Sequence, residues 1–323
     1  MMTNASILVA MRELNILVIG DLMLDHYIWG DVHRISPEAP VPIVNASHES
    51  HTAGGAANVA FNLATLGVTV RLAGSLGEDT AGERLLGLLG GVGIDTTHCH
   101  SGTHRATIVK TRVMARTQQL CRIDHEAAVS AYPLECKPSL LAALESCDAV
   151  IVSDYGKGVI SQPLLDALLD HAKLHGKIIS LDPKPSNHLN FHGVSLITPN
   201  RHEALELAGL AEPRMGESYP LEQVCRMIHD QYAPELLVIT LGADGMAICR
   251  SGKVEQVLPT HARQVFDVSG AGDTVIAILT VALASGATPE GAAKLANLAA
   301  GVVVSRIGTA TVTLDDLSKP ELE

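Results

Sequence analysis

At 323 residues, 47% apolar and 18% charged, the chain suffices for one large α/β domain or two ordinary ones and can bury a sizeable core. Aromatics make up only 3%, so that core must be built from Leu, Val, Ile and Ala. With 23 Lys and Arg against 35 Asp and Glu, the net charge of −12 argues against nucleic acid or an anionic membrane as main partner, though not against a local basic pocket.

The N-terminal MMTNASILVAMREL has no basic segment leading into a long apolar stretch, and no run reaches about 18 apolar residues, so neither a secretory leader nor a membrane span is expected. NILVIGD (15–21) is the first strong strand, and its near-continuous apolar run suits a strand covered on both faces. Further strands are predicted at 69–77, 149–156, 177–184, 195–200 and 236–245. Helices are predicted between and after them at 55–66, 79–90, 138–146, 162–174, 201–209, 219–230, 272–285 and 289–304. Strands alternating with helices imply right-handed βαβ units and an α/β fold with a mostly parallel central sheet. No repeat or low-complexity linker divides the chain, so residues 1–323 are expected to form one domain. The six cysteines, Cys99, Cys121, Cys136, Cys147, Cys225 and Cys249, are scattered without a CxxC pair and read as reduced thiols of a cytoplasmic protein.

Two segments break the alternation. Residues 22–50 hold three prolines, the only Trp and no helical period, and residues 103–124 alternate polar and apolar and are rich in Thr and Val. Both read as antiparallel strands that pair into a small lid over the C-terminal edge of the main sheet, where α/β ligands bind and a lid excludes water.

Polar groups collect where the predicted strands end: Asp25 after GD, Asp154 and Lys157 in SDYGKG, Asp182 and Lys184 in DPKP, Asn200 and Glu203 in TPNRHE, and Thr240, Gly242 and Gly245 in TLGADG. In an open parallel sheet these ends share one edge. Asn200 and Glu203, three apart on one helical face, suit a hydrated Mg²⁺ and equally a capping box. In HTAGGAANVAFNLATLG the pair Gly54–Gly55 opens a helix with Asn58 one turn in; the glycines serve as a hinge, as an approach for a sugar to the backbone, or for close helix packing. In FDVSGAGDTV, Gly270, Ala271 and Gly272 form a small-residue turn that opens an apolar helix, with free N–H groups and the positive dipole end available to an anion. Asp273 at that rim either caps the helix or takes a proton from the acceptor of a transferring phosphoryl group.

AGGAANVAFNLATLG and DVSGAGDTVIAIL resemble the two signatures of the ribokinase-like (PfkB) sugar kinases, and TPNRHE resembles their N-x-x-E motif. Val268 stands where Thr is commoner. The likeness covers roughly residues 14–310. It implies a ribokinase-like αβα sandwich with a small β-sheet lid, ATP as co-substrate and Mg²⁺. It further implies Asp273 as general base, Gly270 to Asp273 as anion hole, and Asn200 and Glu203 organising Mg²⁺ and its waters. Gly54, Gly55 and Asn58 would then meet the sugar, Asp25 its hydroxyls, and Thr240, Gly242 and Gly245 the nucleotide. Asp267 and Ser269 match the place where members of the family bind a monovalent cation such as K⁺.

Within that family, GDLMLDHYIWGDVHRISPEAPVPIV is similar to the branch that phosphorylates D-glycero-D-manno-heptose 7-phosphate at O1 for the lipopolysaccharide inner core. That branch is often fused to a nucleotidyltransferase, and no H-x-G-H-type motif follows residue 300, so a stand-alone kinase is expected. A dianionic 7-phosphate calls for cations. Lys110, Arg112, Arg116 and Arg122 all have even numbers and on an uninterrupted strand share one face, and Lys157 approaches from the main domain. The alternatives are another sugar-phosphate or nucleoside kinase of this fold, or a catalytically silent sugar-binding regulator, against which the intact Asp273, Asn200 and Glu203 weigh. A dinucleotide-dependent dehydrogenase is discounted, because GDLMLD stands where G-x-G-x-x-G would follow the first strand. A two-stranded lid with open edges would gain from a second copy, so a homodimer through the lid is expected.

Overall fold

The computed structural model describes residues 3–260 and 265–318. The chain's last residue, Glu323, on which the stand-alone expectation rests, lies outside the described residues. In chain order the strands are β1 (Asn15–Gly20), β2 (Leu22–Ile35), β3 (Pro42–Gly55), β4 (Thr69–Gly77), β5 (Asp95–Gly102), β6 (Ile108–Ala115), β7 (Gln118–His125), β8 (Ala149–Ser153), β9 (Ile178–Asp182), β10 (Leu196–Ile197), β11 (Leu236–Thr240), β12 (Met246–Arg250) and β13 (Lys253–Leu258). The helices are α1 (Asn4–Ala10), α2 (Ala56–Thr65), α3 (Thr80–Gly91), α4 (Pro138–Ser146), α5 (Gln162–Leu174), α6 (Arg201–Leu207), α7 (Leu221–Tyr232), α8 (Ala271–Ala284), α9 (Pro289–Val304) and α10 (Leu314–Ser318).

The main sheet runs β13-β12-β11-β10-β9-β8-β1-β4-β5. From β11 to β5 every pairing is parallel, so the C-terminal ends of these strands lie along one edge. β12 and β13 complete it as an antiparallel pair. One core layer packs α1, α2, α8 and α9 on one face, and a second packs α4, α5, α6 and α7 on the other. β1 and β8 are buried along their whole length apart from Asn15, which is why they read as unbroken apolar runs. α8 buries ten consecutive residues, Asp273 to Ala282, because it lies over β8 and β9 between α2 and α9.

The lid is a four-stranded sheet, β3-β2-β6-β7, rather than the two strands expected. β2–β3 and β6–β7 are antiparallel hairpins, but β2 and β6 pair in parallel, which antiparallel patterning does not anticipate. Each hairpin leaves the main sheet from the same edge, so their first strands run the same way. The strand predicted at 195–200 is only two residues long, because the ladder ends at Thr198 before Pro199. β5, β12, β13, α1 and α10 were not predicted: β5 (DTTHCHSG) is a polar edge strand without an apolar run. Cys225 on α7 and Cys249 on β12 are joined as a disulfide, against the expectation of six free thiols; the other four are free. No helix among the described residues is long and apolar enough to cross a membrane.

Candidate active site

The carboxylate of Asp273 sits in the first turn of α8, 4% exposed, above the strand ends. Asn58 Nδ2 donates to its Oδ2 at 2.7 Å, and the Tyr155 hydroxyl donates to its Oδ1 at 2.5 Å. Burial pushes its pKa up to about 6 while these two donors pull it down. Tyr155 is itself held well above the usual phenol range by burial and by Asp273, so its hydroxyl stays a donor. Asn58 is anchored in turn by Asn62, whose Oδ1 accepts from Thr274 Oγ1. Asn58, expected to meet the sugar, is thus 2% exposed and committed to Asp273.

Gly270 is the N-cap of α8 at φ 78°, and a Cβ there would lie 2.8 Å from Asn58 Nδ2. Only glycine takes this turn without strain while letting Asn58 approach. The Ala271 N–H bonds Val268 O at 3.3 Å. Those of Gly272 and Asp273 have no acceptor among the described residues, and a Cβ on Gly272 would meet nothing within 4 Å. The turn therefore opens on free space with unpaired donors and the positive end of a fourteen-residue helix.

Gly54 and Gly55 close the lid strand β3 onto α2. Gly55 has φ 59°, and a Cβ there would lie 2.4 Å from Asp21 O; one on Gly54 would lie 2.8 Å from the Asp25 carboxylate. Asp25 is 5% exposed, pairs with Arg112 Nη1 at 2.5 Å and accepts from Thr309 Oγ1 at 3.1 Å. The guanidinium of Arg112 also lies over the Tyr27 ring at 5.3 Å. Asp25 and Arg112, both expected to face substrate, thus hold each other. Lys110 and Arg122 share this face of the lid with Arg112, through the register Asp25↔Lys110 and Arg112↔Arg122. Arg116 does not: the strand breaks at a hairpin, where Arg116 adopts φ 55° and pairs with Asp31 in solvent. Arg122 pairs with Asp124, and Lys157 with Glu126 at 2.6 Å. Lys110 makes no ion pair among the described residues, and burial lowers its pKa, with Arg122 and Lys157 adding to the shift.

Along the same edge, Asp21 at the end of β1 is fully buried and accepts the N–H groups of Tyr155, Lys157 and Val159, which shapes the loop that presents Tyr155. Burial raises its pKa despite those donors. Asp154 accepts from Gly156 N–H and Asn187 Nδ2 and is pushed up to about 6 by burial. Asp182 is pushed well above the carboxylate range by burial and by the charges of Glu203 and Asp273, with the hydrogen bond from Thr198 Oγ1 opposing. Asn200 and Glu203 form the capping box of α6, and Glu203 also reaches Lys184 Nζ at 3.3 Å. Asn200 bridges to Thr240, so α6 begins beside the β11 turn. In that turn Gly242 (φ 65°) and Gly245 (φ 90°) reverse the chain, and Gly245 lies against the Leu258 carbonyl. The Asp267 carboxylate accepts from Ser269 N–H at 2.9 Å and Gly308 N–H at 3.1 Å, and has no ion pair among the described residues.

Tyr155, Asp21, Tyr27 and Thr309 were missed in the sequence reading. Tyr155 lies inside SDYGKG, beside residues that were singled out, whereas Thr309 carries no local signal.

A model of the pfkB family of carbohydrate kinases matches residues 13–316. Two bifunctional proteins HldE, from Desulfatibacillum aliphaticivorans and Methylobacillus flagellatus, are 42% identical over 305 residues and 44% identical over 313. The alignments cover 94% and 95% of this chain and 62% of each relative, so the chain spans less than the full length of either. A ribokinase of Arabidopsis thaliana, complexed with ribose and ATP, superposes with a TM-score of 0.75 at 22% identity, covering 95% of this chain and 99% of that one. The phosphofructokinase-2 of Escherichia coli in complex with potassium gives 0.75 at 18%, covering 94% and 97%. These two structures share the ribokinase-like α/β fold with this chain.

Proposed function

Since this chain belongs to the pfkB family of carbohydrate kinases, we propose that it transfers the γ-phosphoryl group of ATP to O1 of D-glycero-D-manno-heptose 7-phosphate. The product is the 1,7-bisphosphate, on the way to ADP-heptose and the lipopolysaccharide inner core. The observation that carries the reading is Asp273, a buried carboxylate held by Asn58 and Tyr155 directly beside the open N–H groups of the α8 turn.

In the proposed reaction Asp273 accepts the O1 proton as O1 bonds the γ-phosphorus and the bond to the β-phosphate oxygen breaks, releasing ADP. Phosphoryl transfer is mostly positioning and charge stabilisation, which the donors of Gly270 to Asp273 and the helix dipole supply. Mg²⁺ fits beside Asn200 and Glu203, because the Glu203 charge helps to push up the pKa of the nearby Asp182 carboxyl, and a cation there would relieve that repulsion and favour the ionised form of both; when bound it would neutralise phosphate charge. Thr240, Gly242 and Gly245 are assigned to the nucleotide. K⁺ fits Asp267 and Ser269, since that carboxylate carries two N–H donors and no ion pair among the described residues.

Gly54, Gly55 and Asp25 form the sugar side of the cleft. For the 7-phosphate, Lys110 is the first candidate, because among the described residues it makes no ion pair, although the Asp124 and Asp25 charges lie near it; Lys157 joins it by releasing Glu126, and Arg112 sets Asp25. A kinase domain spanning 1–323, a cytoplasmic location and a homodimer through the lid complete the proposal. The free edge of β3 and the exposed Ile35 and Val41 at its hairpin support the dimer, which light scattering at micromolar concentration tests. The deciding assay measures ATP consumption with heptose 7-phosphate, free heptose, fructose 6-phosphate, ribose and adenosine. Heptose 7-phosphate is expected to be the preferred acceptor, and Lys110→Ala or Lys157→Ala to raise its KM while sparing free heptose. Equal rates with and without the 7-phosphate overturn the assignment.

A further inference from the structure

Away from the cleft, two groups of metal-ligating side chains converge: His26, Glu49 and His51 on the outer face of the lid, and Glu145, His171 and His175 where α4 meets α5. In the lid group the two rings stack face to face, 4.3 Å apart, and the Arg84 guanidinium lies 2.7 Å from His51 Nε2. A fixed positive charge at a ligand nitrogen opposes a cation there.

The second group has no such obstacle. His171 in the last turn of α5 and His175 at its C-cap are four apart and lie on one side of the helix end. His171 Nε2 lies 2.9 Å and His175 Nε2 3.5 Å from the same oxygen of Glu145, and all three ligand atoms lie within 4.8 Å of one another. The rings meet at 44° with centroids 4.6 Å apart, so they converge instead of stacking. Among the described residues neither Lys nor Arg pairs with Glu145. The side chains are 49%, 18% and 33% exposed for Glu145, His171 and His175, so an ion can enter from solvent.

We propose that Glu145, His171 and His175 form a binding site for a divalent transition metal, Zn²⁺ first among them. Two neutral imidazoles and a carboxylate suit Zn²⁺, whereas Mg²⁺ and Ca²⁺ favour all-oxygen ligands. Tetrahedral Zn²⁺, at about 2.0–2.1 Å from each ligand, holds neighbouring ligand atoms about 3.3 Å apart. The two nitrogen–oxygen distances already bracket that value. Water takes the fourth position. α4 ends just before β8 begins and α5 just before β9, so the site lies on the N-terminal edge of the sheet, opposite Asp273. Metal there ties α4 to α5 without touching the cleft.

The test titrates chelator-treated protein, free of nucleotide and Mg²⁺, with ZnCl₂ by calorimetry and with CoCl₂ by visible absorption. One equivalent of Zn²⁺ is expected to bind and to raise the melting temperature by mass action. Co²⁺ should give the intense visible bands of a tetrahedral site without a thiolate band from the free cysteines. His171→Ala and His175→Gln should each abolish both signals and leave the kinase rate measured with Mg²⁺ and without Zn²⁺ unchanged; His26→Ala should keep both. Wild-type Zn²⁺ affinity in the α5 variants, a thiolate band, or loss of the signal only in His26→Ala overturns the site. Should His171→Ala fail to fold, His175→Gln, at the more exposed ring, decides alone.

Discussion

Asp273 is a carboxyl that the fold keeps out of water, and its pKa near 6 sets when it can act as a base. Below about pH 6 it holds a proton and cannot accept another, so kcat/KM is expected to fall toward acid with a limb near that value. Tyr155→Phe removes one of the donors that favour the ionised form, so the acid limb should move to higher pH. A pH–rate profile with the limb unmoved would place Tyr155 outside the base's environment. Asp273→Asn should lower kcat by about 10²–10⁴-fold with little change in sugar or ATP binding. The sign for stability is opposite to that for activity. Unfolded Asp titrates near 3.8 and the folded group near 6, so its contribution is fully present below 3.8 and is lost as pH rises through 6. At pH 7.5 the wild type therefore carries the cost of a buried charge. Asp273→Asn is expected to melt at or above wild type there, since the Tyr155 hydroxyl can turn to accept from the new amide.

At the scale of elements, the α8 turn separates two roles of glycine. At Gly270 the positive φ and the approach of Asn58 both exclude a side chain, so Gly270→Ala should cost about 1–2 kcal/mol in denaturant unfolding and also displace the partner of Asp273. At Gly272 the helix has open space, and alanine is the better helix former, so Gly272→Ala should keep or raise stability. Its methyl group nevertheless enters the space assigned to the phosphoryl group, and kcat/KM should drop. Full activity in Gly272→Ala would remove the anion hole from this turn. On α6, Glu203→Gln keeps a side chain able to close the capping box but removes the charge, so the Mg²⁺ titration of activity should shift to higher concentration. An unchanged titration would leave Glu203 as a cap alone.

At the scale of the whole molecule, the lid reaches the main domain through Tyr27, whose hydroxyl meets Thr309 Oγ1 at 3.1 Å. Trp29, the chain's only tryptophan, stacks on Tyr27 at 5.5 Å and donates to Ser50. Sugar phosphate added without ATP is therefore expected to change the Trp29 emission; a silent titration at saturating ligand would mean that the lid is already in its bound position. What the sequence determined by itself follows from burial and local turn chemistry. Continuous apolar runs marked β1 and β8, and helix periods placed α4, α5 and α9 to the residue, because each pattern is set by which faces are covered. The glycine turn before Asp273, the Gly54–Gly55 pair and the Asn200–Glu203 cap were legible for the same reason: a backbone conformation leaves its mark within a few residues. Only the tertiary structure decided the rest. Tyr155 meets Asp273 across 118 positions, Asp21 gathers a loop 134 positions on, and Thr309 meets Asp25 across 284. No local pattern encodes such distances. The polar edge strand β5, the parallel pairing of β2 with β6, the hairpin that turns Arg116 away and the Cys225–Cys249 contact share that origin. They depend on which segments the sheet edges bring side by side, and a chain acquires that information only when its strands pair.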